Sequence, residues 1–161
     1  MKCLIWERAD GGISVEHPAF GDKIRPSTDD ELIAMCQRKT QIRLTLQYGG
    51  PAICHEVDKE LLPDGYFFNA YQWDGAAVVV DMTKARAIHM DKIRRVRNEE
   101  LVKEDIMFMR AVEAGDTSAQ SAVATKKQTL WDIPATFDIT TGVTTPELLK
   151  GRWPTELPAR E

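Results

Sequence analysis

Cysteine is scarce in this 161-residue chain: Cys3, Cys36 and Cys54 are an odd, widely spaced set, and no Cys-x-x-Cys occurs. That excludes a disulfide scaffold and points to free thiols in a reducing compartment. Long apolar runs are missing as well. The longest, residues 76–80, falls far short of the ~20 residues that cross a bilayer, so no membrane association is expected. The opening residues reach Glu7 and Arg8 after a very short apolar stretch, which argues against a secretory leader and for a soluble, cytoplasmic protein. The glycine patterns that cradle phosphates are absent, and so are Gly-x-Ser-x-Gly and His-Glu-x-x-His. A basic excess is lacking too: net charge is −4, against the strongly basic balance of a general nucleic-acid binder.

What is present is 43% hydrophobic and 29% charged side chains, enough apolar surface for a real core. Charge is unevenly spread. Residues 1–81 carry 8 basic and 13 acidic side chains, whereas residues 82–161 carry 13 and 12. The first part is acidic and the second nearly neutral.

Cys3–Glu7 and Ile13–Glu16, joined by Arg8-Ala9-Asp10-Gly11-Gly12, read as an antiparallel β-hairpin, because Asp-Gly and Gly-Gly suit tight turns. Pro26-Ser27-Thr28-Asp29-Asp30-Glu31 opens a helix, with Thr28 and Glu31 as a capping box, and this helix is expected to end near Arg38–Thr40. Ile42, Leu44, Leu46 and Tyr48 then alternate strictly with Arg43, Thr45 and Gln47. That pattern predicts a half-buried strand. The aromatic-dense stretch 66–73 is expected to cover the sheet, and residues 76–80 to form a short strand after Asp74-Gly75.

From Met82 to Ala114 there is no glycine or proline, which predicts one long helix. Its apolar phase runs through Ala85, Ile88, His89, Ile93 and Val96, drifts across 97–100, and resumes at Val102, Ile106, Met109 and Ala111-Val112. A bend or a change of buried face near Asn98 is expected. Gly115 caps the helix, Thr117 and Gln120 box the next one, and Ile133-Pro134 closes it, giving an antiparallel helical hairpin. Thr145-Pro146 starts a short capped turn in an otherwise extended tail. The expected fold is α+β, with a small mixed α/β unit at 1–81, a helical hairpin at 82–133 and a mostly extended tail at 134–161.

Three groups of residues are candidates for function. Cys54-His55-Glu56 could suggest a metal or nucleophile, but adjacent side chains on an extended backbone point to opposite faces. No catalytic, metal-binding or cofactor-binding residue is expected there or elsewhere. Arg94, Arg95 and Arg97 lie in a basic run on the long helix, yet Glu99, Glu100, Glu104 and Asp105 follow at once. Ion pairing along the helix, Arg95 with Glu99 and Arg97 with Glu100, explains this better than a nucleic-acid surface. Nucleic acid is kept as the alternative partner. Trp131, Phe137, Leu149 and Trp153 are large apolar side chains in a segment with little regular structure. They pack on their own hairpin or anchor a protein partner, where tryptophan is over-represented.

The chain also resembles a known family. The relevant stretches are Val80-Asp81-Met82-Thr83-Lys84-Ala85-Arg86, Glu113-Ala114-Gly115-Asp116-Thr117-Ser118-Ala119-Gln120, Leu130-Trp131-Asp132-Ile133-Pro134, Thr145-Pro146-Glu147-Leu148-Leu149-Lys150 and Trp153-Pro154. Their order is similar to the C-terminal part of bacteriophage tail-fibre assembly proteins, and the opening Trp6–Val15 resembles small phage and prophage proteins. The resemblance implies no catalytic residues. It implies a non-enzymatic protein that holds or positions a phage tail or tail-fibre subunit, in the host cytoplasm during assembly or in the virion tail; the long helix with its hairpin is expected to dock that partner or to self-associate.

Overall fold

The structure is a computed structural model and describes residues 1–22, 26 and 28–160. Ser27, part of the expected helix start, lies outside the described residues. The fold is α+β, and the chain divides into two compact units, Met1–Asp81 and Met82–Glu161.

The first unit is organised around β1 (Lys2–Glu7), which lies between β2 (Ile13–Glu16) and β3 (Ile53–Asp58) in an antiparallel sheet. The β1–β2 hairpin is the expected one, closed by Gly11 N–H donating to the Arg8 carbonyl at 3.0 Å. Cys3, Leu4, Ile5 and Trp6 are all buried, which a half-exposed strand would not allow. Both faces of β1 are therefore covered. On one face Leu4 and Trp6 pack with Ile33, Leu44 and Ala52, supplied largely by α1 (Asp29–Tyr48). On the other, Cys3 and Ile5 meet Ile13, Tyr71 and Val78. Tyr71 and Val78 belong to a two-stranded ribbon, β4 (Tyr71–Trp73) with β5 (Val78–Val80). Ala76 and Ala77 belong to the turn instead of β5, their N–H groups donating to Asp74. Of the aromatic stretch, Phe67 and Tyr71 are buried while Phe68 is exposed.

The strand expected over 41–48 is the second half of a helix. The capping box of Thr28 and Glu31 starts α1 as expected, but nothing stops it at Thr40. Between Thr28 and Gly49 there is no glycine or proline, and the left-handed conformation of Gly49 (φ 74°) lets its N–H close on the Thr45 carbonyl. The buried side follows helical spacing through Ile33, Thr40 and Leu44, with Cys36, Gln37 and Tyr48 half-buried beside it. Ile42 and Leu46 are left exposed. Alternation is a strand signal only where the chain is extended, and here four-residue spacing has prevailed. The partner that completes the sheet is β3, an edge strand that sequence reading left open.

In the second unit α2 (Met82–Glu113) is a single uninterrupted helix. It turns at Gly115 (φ 69°) into α3 (Thr117–Thr136). Gly115 N–H donates to the Val112 carbonyl and Asp116 N–H to that of Ala111, which satisfies the end of α2. The cap of α3 is Asp116, which accepts from Ala119 N–H; the expected box of Thr117 and Gln120 does not form. Gln120 donates across the hairpin to the Ala111 carbonyl instead. Pro134 does not close α3. Proline in a last turn removes only one ladder bond, and the helix runs on to Thr136. The short α4 (Pro146–Gly151) is capped by Thr145 as expected. Residues after 133 belong to the same compact unit as the hairpin. Val143, Leu149, Pro154 and Leu157 are buried, so this stretch, which beyond α3 holds α4 and otherwise no regular secondary structure among its described residues, packs into that unit.

Candidate protein-contact surface

The first half of α2 is built into the core. Ala85, His89, Met90 and Ile93 are buried there, and two hydrogen bonds and one ring contact bind this half to the C-terminal stretch. Arg86 donates to the Val143 carbonyl at 3.0 Å, and His89 Nε2 lies 2.7 Å from the Arg152 carbonyl. A carbonyl can only accept, so Nε2 carries the proton. The His89 ring meets Trp153 edge to face at 6.0 Å. Burial holds the His89 pKa below its ordinary value, opposed by the hydrogen bond to Arg152. The histidine is thus a neutral structural donor.

The second half of α2 packs differently. Its inward side consists of Arg97, Leu101, Glu104, Phe108 and Ala111, at alternating four- and three-residue intervals, the spacing of a seam between paired helices. Only Glu104 and Ala111 of this set are buried. Glu104, 7% exposed, is paired with Lys126 of α3 at 2.5 Å, and Asp105 with Lys127 at 2.5 Å. Lys127 also lies over the Phe108 and Trp131 rings, 5.7 and 5.2 Å from their centroids. Charged groups thus hold this end of the hairpin together.

Three aliphatic side chains of the same stretch point away from α3. Val102, Ile106 and Met109 are 60%, 51% and 57% exposed. Successive helix positions turn by about 100°, so these three lie in one stripe nearly opposite Glu104 and Ala111. Ile106 and Met109 line an open groove of about 360 Å³ with Asp105, Arg110 and Glu113. Of the apolar positions expected to resume burial at Val102, Ala111 is buried, whereas Val102, Ile106, Met109 and Val112 face solvent. The hairpin buries a carboxylate and exposes these three aliphatics, the reverse of what a self-sufficient pair of helices does.

No family model, curated protein or solved structure matches this chain.

The four apolar candidates have different environments. Trp131 is half exposed on α3 beneath Lys127. Phe137 is half-buried and caps α3 with its N–H on the Ile133 carbonyl. Leu149, with no exposure, is a core residue and offers nothing to a partner. Trp153 is engaged by its own chain: Nε1 donates to the Pro158 carbonyl at 3.0 Å, and Arg160 covers its ring at 4.8 Å.

The basic run does not form one face. Arg95 and Arg97 are about 200° apart around the helix. Arg94 pairs with Asp91 at 2.9 Å, and Arg97 holds the Asn98 side chain. The pairs expected between Arg95 and Glu99 and between Arg97 and Glu100 are not made; Glu100 takes Lys103 at 2.6 Å. Among the described residues no three potential ligands gather to hold a metal ion, and no helix is long and apolar enough to cross a membrane.

Cys54 and His55 point to opposite faces of β3, as an extended backbone requires. Cys54 packs on the α1 side, whereas His55 stacks on Trp73 at 4.1 Å and contacts Glu7 at 2.6 Å. Burial raises the pKa of all three thiols, the opposite of what a reactive thiolate needs.

Sequence reading missed the stripe at Val102, Ile106 and Met109 as a surface. Its signal was there, in the drift near Asn98 and in Glu104 falling on the old inward phase. Only the packing against α3 shows which of the two phases is buried.

Proposed function

We propose that this protein works by protein–protein contact and not by catalysis, as a small bacteriophage tail or tail-fibre protein. It is either an assembly chaperone, acting in the host cytoplasm, or a minor structural component of the virion tail. The observation that carries the contact reading is the exposed stripe Val102–Ile106–Met109 on a helix that buries Glu104 instead. A hairpin that spends its apolar phase on solvent is suited to presenting that phase to another protein. The phage assignment draws on the order of helix, turn, helix, Trp-Pro in the sequence. The basic run gives less support to a nucleic-acid partner, because its arginines diverge around α2.

Co-expression with a phage tail-fibre subunit tests this reading. Copurification with that subunit, or a gain in its solubility, supports it, provided Ile106→Asp abolishes the effect. Mass spectrometry of purified particles then separates the two forms, since a chaperone is missing from the finished virion. If the protein neither binds nor solubilises the subunit and is absent from virions, the reading is wrong.

A further inference from the structure

The stripe on α2 is not uniform along its length. Continuing the same face in both directions at three- and four-residue steps adds Glu99 and Arg95 before Val102 and Glu113 after Met109. Arg110 lies on the shoulder next to Glu113. Within the chain Arg95, Glu99, Arg110 and Glu113 make no ion pair among the described residues. The face thus has an aliphatic centre, a lone arginine at one end and a lone glutamate at the other. From Arg95 to Glu113 it spans about 27 Å.

We infer that the occupant of this face is a second copy of the same chain, lying antiparallel on it. The inference rests on the contact reading above and names the partner that covers the face in the free protein, which a tail subunit using the same stripe displaces. With a two-fold axis at the level of Glu104, Val102 of one copy meets Ile106 of the other, twice. The same axis sets Arg95 against the partner's Glu113, and Glu99 level with and on the same side as the partner's Arg110. All four unpaired charges in each copy then face an opposite charge.

The side chains that approach their own copies across the axis are Lys103 on one flank and Asp105 on the other. Each is already neutralised within its chain, Lys103 by Glu100 at 2.6 Å and Asp105 by Lys127 at 2.5 Å. A parallel pair is worse on every count. It stacks Arg95 on Arg95 and Glu113 on Glu113, and it pairs Arg110 with Asp105 only by taking Asp105 from Lys127. Charge complementarity therefore selects both the occupant and its direction. A contact of one helix face is small beside the roughly 800 Å² per partner of a standard interface. The dimer is accordingly concentration-dependent.

Sedimentation velocity of the full chain from roughly 5 to 200 µM tests this. The expected result is a reversible monomer–dimer equilibrium. Ile106→Asp should remove the dimer and leave the helical circular dichroism unchanged. Arg95→Glu or Glu113→Arg alone should weaken dimerisation about tenfold, whereas the double variant should return to within about threefold of the parent, because the two positions face each other. A monomer across the whole range overturns the inference. So does a dimer that survives Ile106→Asp, or one that the single charge reversals do not weaken. If the chain is monomeric yet still captures a tail subunit, and Ile106→Asp abolishes that capture, self-pairing fails and the contact reading stands. If it dimerises but binds no subunit and is absent from virions, self-pairing stands and the phage reading fails.

Discussion

The two halves of α2 belong to one unbroken helix, yet they meet opposite environments. Up to Val96 the helix presents Ala85, His89, Met90 and Ile93 to a core that the C-terminal stretch helps to build. Beyond Asn98 it has α3 on one side only, held by Glu104–Lys126 and Asp105–Lys127, while Val102, Ile106 and Met109 face solvent. The first half is therefore committed to folding. The second is held in place mostly by polar contacts, which leaves its apolar phase for a partner. Helix continuity alone says nothing of this division. It follows from which phase the neighbouring elements cover.

The largest effects should come from the committed half. Ile93→Ala, or Leu149→Ala in the segment that packs with it, should cost about 2–5 kcal/mol in urea unfolding, since both side chains are fully buried. A much smaller cost would mean that this half is no better packed than the other.

Acid should act on the same half. His89 is neutral in the fold, and burial holds its pKa below the ordinary 6.5. Below that value the unfolded chain binds the proton more readily than the folded one. Stability is then complete above about pH 6.5 and falls as the pH is lowered toward the depressed folded value. Urea midpoints at about pH 7.5 and 5.5 should show this drop, and His89→Gln should flatten it.

Smaller losses are expected at the far end of the hairpin. Gly115→Ala forces a β-carbon into a left-handed conformation, at a cost of about 1 kcal/mol. Glu104→Ala should cost a similar ~1 kcal/mol, because its partner Lys126 is largely solvated. Ile106→Ala should change the stability of the monomer by less than about 0.5 kcal/mol. A large loss there would place Ile106 in the core and erase the contrast between the halves.

Most sequence features with a local cause were legible, the cap and the end of α3 being the exceptions. The β1–β2 hairpin, the capping box at Thr28 and Glu31, the glycine turn at 115 and the capped turn at Thr145 all depend on residues close together in the chain. Features decided at a distance were not. The alternation at 42–48 suggests a strand until the cover that α1 gives to Leu4 and Trp6 is taken into account. β3 is a weakly patterned edge strand that owes its place to β1. Leu149 and Trp153 could be read either as packed on their own hairpin or as partner anchors, and only the folded C-terminal stretch decides for the first. The stripe on α2 is visible as an apolar phase, but its exposure is a property of α3.

That α2 does two jobs along one helix is tested most directly by backbone hydrogen exchange resolved along that helix, at low and at high protein concentration. At low concentration residues 85–96 should be strongly protected and residues 99–113 exchange faster, since fewer buried contacts resist their opening. Raising the concentration should slow exchange in 99–113 much more than in 85–94. Equal protection of both halves, or an equal concentration effect in both, would contradict this division of the helix.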